Sequence, residues 1–197
     1  PFNTVFGSIP GTLGSPIMNY AYLTQRGYYP DQPDKANQDN YQVVEKFCDM
    51  NNRVRFFVFF ANANANARSR ARTHNTQYTA QSFFGVFDGH GKDGDLASYY
   101  ARDKIPKSLE RWAKSVPLKR AHKKAFVEVN DKMCSNSVFD TMMSGTTGIT
   151  ACLDQEKLLV ANCGDSRCVV AVDLGDDKLT AQPLSKDQTP HRRDELR

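Results

Sequence analysis

Two very short connections constrain this chain more than any other feature. The β-rich pieces "ITACLD" (149–154), "KLLVANC" (157–163) and "RCVVAV" (167–172) are joined only by "QE" and "GDS". Parallel neighbours need a crossover of about a dozen residues or more, so links this short join antiparallel strands. The three pieces therefore read as an antiparallel meander. "NYQVVEKF" (40–47) and "SFFGVF" (82–87) read as further strands. Between the strands lie two helical patterns. "GDLASYYARDK" (94–104) reads as a helix stopped by Pro106, which has no N–H to continue the ladder. "PLKRAHKKAFVEVNDKMC" (117–134) opens with proline at a helix start and places Ala121, Ala125, Val129 and Met133 at four-residue steps beside Phe126, giving one apolar face. Sheets with helices packed on their faces make an α+β layered domain.

At 197 residues, 40% hydrophobic and 24% charged, the chain is long enough for one core, and a single domain over 1–197 is expected. It contains no apolar run long enough to span a bilayer and no basic start followed by an apolar core. A soluble intracellular protein, cytoplasmic or nuclear, monomeric and without a membrane partner, is expected. The net charge of +4 is mild and much of it sits at Arg68, Arg70 and Arg72, so no nucleic-acid partner is indicated. Five cysteines, Cys48, Cys134, Cys152, Cys163 and Cys168, include no Cys-x-x-Cys pair and read as reduced core residues. Residues 51–81 combine an aromatic run, "RVRFFVFF", with an Ala-Asn alternation and a basic patch, and read as a low-complexity insertion: one extra strand and a mobile, solvated excursion.

The chemistry concentrates in "FFGVFDGHGKDG" (83–94). Asp88 stands at the end of a strand, and Gly89 and Gly91 let the backbone turn, so a carboxylate, a carbonyl and the His90 imidazole converge at the mouth of a sheet. Oxygen donors of this kind suit Mg²⁺ or Mn²⁺, and a neighbouring imidazole suits proton transfer. Upstream, "KANQDNY" places Asp39 just before a strand, a second carboxylate for the same sheet edge.

In chain order, "KANQD", "FFGVFDGHG", "SGTTGITA", "LLVANCGDSR" and "LSKDQTPHRRDE" resemble the metal-dependent serine/threonine phosphatases of the protein phosphatase 2C family. The resemblance implies a central antiparallel β-sandwich flanked by helices, with a two-metal site at one end, and hydrolysis of phosphoserine or phosphothreonine in a phosphoprotein partner. By the same resemblance, Asp88 is the metal-bridging aspartate, the Gly89 carbonyl its neighbouring ligand, Asp39 the carboxylate that holds metal-bound water, and His90 the general acid. Gln38 stands where many members have glutamate. Lys35 is the phosphate-binding candidate, in place of an arginine common in the family. The family's later metal aspartates do not occur, so the chain is expected to be C-terminally incomplete, roughly the first two-thirds of a catalytic domain. The alternative is a phosphatase-like module that regulates a partner without catalysis.

The remaining polar features read as structural. Ser166 in "GDSR" lies in a tight connection with no strand-turn-helix elbow and reads as a turn, with Asp165 and Arg167 pairing locally. "SGTTG" lacks the lysine of a P-loop and reads as the start of a buried strand. His74, His122 and His191 read as surface or cap histidines.

Overall fold

The computed structural model describes residues 3–10, 16–24, 31, 36–44, 49–53, 58–61, 72–73, 77–80, 82–135, 139–154, 157–173 and 179–195. In chain order the elements are β1 (Asn3–Pro10), β2 (Pro16–Thr24), β3 (Asp39–Val44), β4 (Asp49–Arg53), β5 (Val58–Ala61), β6 (Arg72–Thr73), β7 (Gln77–Ala80) and β8 (Ser82–His90). Helices α1 (Gly94–Ala113) and α2 (Leu118–Cys134) follow, and then β9 (Gly145–Thr146), β10 (Gly148–Asp154), β11 (Lys157–Cys163), β12 (Arg167–Asp173) and β13 (Leu179–Pro183).

The central sheet has the order β11-β10-β8-β3, with β9 paired to the end of β8. Its pairs are antiparallel. A second sheet runs β13-β12-β5, a third β1-β2-β6, and β4 pairs with β7. Within residues 51–81 the structure thus places β5 on β12 and β7 on β4. Residues 62–71 and His74 lie outside the described residues.

Period-two alternation sorts β8 cleanly. Phe83 and Phe87 form one core with Ala101, Ile105 and Leu109 of α1, Ala121, Ala125 and Val129 of α2, and Cys152 of β10. Full burial of each phenylalanine contributes about 2–3 kcal/mol. On the other face of the sheet Phe84, Ile149 and Ala151 are also buried, so this sheet is an inner layer covered on both sides.

The sequence stops α1 at Pro106, but the helix runs through that residue to Ala113. The missing N–H costs one hydrogen bond. The apolar row Ala97, Ala101, Ile105 and Leu109 continues past it and is buried, and that packing outweighs the break. At the far end of the helical hairpin, Glu128 of α2 accepts hydrogen bonds from Ser108 Oγ (2.8 Å) and Trp112 Nε1 (2.8 Å) and pairs with Arg111 and Lys132. These donors, Lys132 first, hold its pKa down at about 2.

The meander is also corrected. β10 and β11 pair as expected, but β12 joins β13 and β5 instead of β11. Gly164, at φ +101°, turns the chain out of the first sheet. Its N–H donates to Gln188 Oε1 (2.7 Å) and its carbonyl accepts the Gln188 N–H (2.9 Å), which ties the turn to the downstream segment. A three-residue link serves a hairpin or a change of sheet equally well, so its length alone does not distinguish them.

Two further readings change. His122 is buried, not a surface or cap residue: its Nδ1 faces the Leu118 carbonyl at 3.0 Å, and burial pushes its pKa below that of free histidine. Cys152 and Cys168 are buried free thiols, the latter pushed up to about 12 by burial, whereas Cys134 and Cys163 are exposed. Cys48 lies outside the described residues.

Candidate active site

The end of β8 is flanked on both sides. On one side β3 runs antiparallel with Asp39 directly opposite Asp88, and on the other Gly89 and His90 pair with Thr146 and Gly145 of β9. Directly opposed residues share a sheet face, and alternation along β8 puts Asp88 and His90 on the same one, turned away from α1 and α2. The two aspartates and the imidazole therefore sit on one face at one end of the sheet.

The backbone beneath them is held tightly. Asp88 donates its N–H to Thr147 Oγ1 (3.1 Å), and its carbonyl accepts the Thr147 N–H (2.8 Å) and the Thr146 hydroxyl (3.1 Å). Gly89 donates to the Gln38 carbonyl (3.1 Å), which also accepts the Ser98 hydroxyl (2.6 Å). Ser98 in turn accepts Asn40 Nδ2 (2.7 Å), and Arg102 donates to Asn40 Oδ1 (3.1 Å), so α1 fixes the start of β3 beside β8.

The two glycines divide the work that the sequence assigned to both. Only Gly91 takes a positive φ (84°) and makes the turn. Gly89 remains in the strand and is required for close approach: a Cβ there would lie 2.0 Å from the Gly94 carbonyl oxygen and 2.7 Å from that of Gln38. Gln38 also donates its side-chain amide to the Gly91 carbonyl (2.7 Å), a bond that a carboxylate in its place could not donate.

His90 is exposed, and a methyl group on Gly145 would lie 3.0 Å from both Cε1 and Nε2 of its ring. Sequence reasoning missed Gly145, Ser98 and Asp93, which accepts the Asp140 N–H (2.9 Å) at Oδ2 and donates its own N–H to Ser144 Oγ (3.0 Å). The S-G-T-T motif was the one signal for this side of the site. Lys35 lies outside the described residues. Among the described residues no three His, Cys, Asp or Glu side chains converge as a metal-binding group. The donors that fit a hard cation are the Asp39 and Asp88 carboxylates and the Gly89 carbonyl.

Ser166 is a fully buried structural residue, its hydroxyl 2.7 Å from that of Thr147. Arg167 pairs not with Asp165 but with Asp187, through Nε (3.0 Å) and Nη2 (2.5 Å), and the guanidinium holds that carboxyl below its usual range. Cys168 donates its N–H to Ser185 Oγ (2.9 Å). The strand following "GDS" is thus clamped to the "LSKDQ" stretch.

The comparison with known proteins decides the family. Residues 46–197 match the family Protein phosphatase 2C. The chain is a member of that family. Probable protein phosphatase 2C 35 of Arabidopsis thaliana is 37% identical over 179 residues, which cover 90% of this chain and 43% of the relative. Protein phosphatase 2C homolog 2 of Aspergillus fumigatus is 33% identical over 117 residues, covering 58% of this chain and 25% of that protein. The crystal structure of serine-threonine phosphatase 2C from Toxoplasma gondii superposes with a TM-score of 0.61 at 21% identity, covering 98% of this chain and 57% of the other. At that identity the likeness shows the fold: antiparallel sheets with flanking helices, of which this chain carries part. The chain spans less than half the length of these two relatives. No helix among the described residues is long and apolar enough to cross a membrane.

Proposed function

We propose that the protein hydrolyses phosphoserine and phosphothreonine in protein substrates with Mg²⁺ or Mn²⁺. The observation that carries this reading is the register of Asp39 opposite Asp88 at the end of a sheet in a protein phosphatase 2C chain. Two carboxylates and a backbone carbonyl brought to one strand end make an oxygen donor set of the kind a divalent cation takes.

In this reading Asp88, Asp39 and the Gly89 carbonyl hold the cations, of which the family uses two. When bound, the ions supply an activated water nucleophile and neutralise charge on the phosphoryl oxygens. The chain's own residues do the rest. The tie from Gly89 N–H to Gln38 and the three bonds on the Asp88 backbone fix both donors in place before substrate arrives. His90, exposed on the same face as Asp88, gives a proton to the departing seryl or threonyl oxygen. Lys35 contributes a positive charge toward the substrate phosphate.

The test is Asp88→Asn in the full-length protein, followed by turnover of a phosphothreonine peptide, Mn²⁺ calorimetry and thermal melting. Wild type should turn over with Mn²⁺ and stop in EDTA. The variant should lose turnover and Mn²⁺ affinity, while its metal-free melting temperature stays close to that of wild type because the amide nearly matches the carboxylate in shape. Unchanged Mn²⁺ affinity with normal turnover would overturn the assignment.

A further inference from the structure

The stretch Phe139–Ser144 is anchored at both ends. Phe139 is buried, 9% exposed, with its ring 6.3 Å from that of Tyr100. Asp140 donates its N–H to Asp93 and accepts the Met142 N–H at Oδ1 (2.9 Å), and Ser144 Oγ accepts the Asp93 N–H. Between these anchors Met142 and Met143 are 89% and 77% exposed. Single exposed apolar residues are ordinary, but two adjacent ones in a pinned loop form a surface.

That surface borders the site. Gly145, directly after Ser144, lies against the His90 ring, and the Met143 carbonyl lies 2.1 Å from where a Gly91 Cβ would be. At about 3.3–3.6 Å per residue, Met143 and Met142 lie within roughly 7–11 Å of Gly145 along the chain. An extended peptide covers the same distance in two to three residues. Resting on the phosphatase reading above, we propose that Met142 and Met143 form a specificity platform that receives an apolar side chain two or three residues from the phosphorylated residue of the substrate. The unbranched, polarisable thioether side chains adapt to different apolar partners, so the platform selects for apolar character without demanding one residue.

The test compares three substrates with the full-length protein and Mn²⁺: a phosphothreonine peptide with leucine at the second and third flanking positions, the same peptide with serine there, and p-nitrophenyl phosphate, which has no flanks. Wild type should favour the leucine peptide in kcat/KM by about tenfold, within what burying one methylene-rich side chain supplies. Met142→Ser with Met143→Ser should erase that preference, leave the aryl ester within twofold, and be rescued by Met142→Leu with Met143→Leu. No preference in wild type, a preference that survives the serine pair, or an equal loss on all three substrates would overturn the platform while leaving the phosphatase reading standing. Absence of Mn²⁺-dependent turnover of every substrate by wild type would overturn both.

Discussion

Gly89→Ala tests the construction of the site directly. A Cβ at Gly89 would meet three backbone atoms, Gly94 O at 2.0 Å, Gly94 C at 2.5 Å and Gln38 O at 2.7 Å, none of them the movable end of a side chain. Carbon atoms essentially never come closer than 3.0 Å to such neighbours, so the end of β8 must separate from the start of α1 by at least 3.0 − 2.0 = 1.0 Å. The Gln38 carbonyl must also give by about 0.3 Å, which lengthens and weakens its 3.1 Å bond from the Gly89 N–H. Overpacking costs about 1–3 kcal/mol and the weakened bond up to about 1 kcal/mol, while the stiffer unfolded chain returns about 0.5 kcal/mol. The net destabilisation is roughly 2–3 kcal/mol, or about 5–10 °C in melting temperature for a domain of this size. Gly145→Ala is the control, because its Cβ meets only the exposed His90 ring, at 3.0 Å. It should cost under about 1 kcal/mol and instead displace the imidazole. Urea and thermal unfolding of the full-length protein should therefore separate the two variants clearly. A loss below about 1 kcal/mol for Gly89→Ala, or equal losses for both, would refute the close-approach reasoning.

Two other expectations follow from the same geometry. His90→Ala in the full-length protein should lower turnover of a phosphothreonine peptide by on the order of 100-fold and that of an activated nitrophenyl ester much less; equal losses on both, with chemistry rate-limiting, would show that His90 does not donate the proton. Glu128, held at about 2 against an ordinary 4.5, stabilises the fold fully above pH 4.5 and loses that contribution as pH falls from about 4.5 to 2. With Arg111 and Lys132 more than half exposed, the effect is about 1–2 kcal/mol, and Glu128→Gln should remove it at pH 7. Parallel acid-unfolding curves for variant and wild type would contradict this.

Legibility in the sequence followed the range of the interaction. Ala121, Ala125 and Val129 announced α2 because a helix repeats its face every turn, and all three are buried. Asp39 and Asp88, each placed at a strand end by the sequence, do meet at one sheet edge. Local rules failed where tertiary contacts override them. Pro106 stays helical because residues on both sides of it are buried, and "GDS" changes sheets because Gln188, far along the chain, holds Gly164. Nothing local marks Ser98 as the partner of the Gln38 carbonyl or His122 as buried, since both depend on residues that the fold brings together.

The motifs that carried the family resemblance are neighbours in space as well as in order. "KANQD" meets "FDGHG" through Gln38 and Gly89, and "FDGHG" meets "SGTTG" through Asp88 and Thr147. Thr147 passes the chain of contacts to Ser166 of "CGDSR", and Gly164 and Arg167 of that stretch bind Gln188 and Asp187 of "LSKDQ". Only the first two motifs supply side chains to the proposed chemistry. The other three carry glycines, hydroxyls and one ion pair that position backbone, which is why their residues look like catalytic fragments when read singly: Ser166 resembles a nucleophile and "SGTTG" a phosphate cradle. In the structure both support Asp88, Thr147 directly by accepting its N–H and Ser166 indirectly by bonding to the Thr147 hydroxyl. The proposed cation chemistry needs this rigidity, because oxygen donors keep an ion's coordination distances only where the backbone beneath them cannot yield.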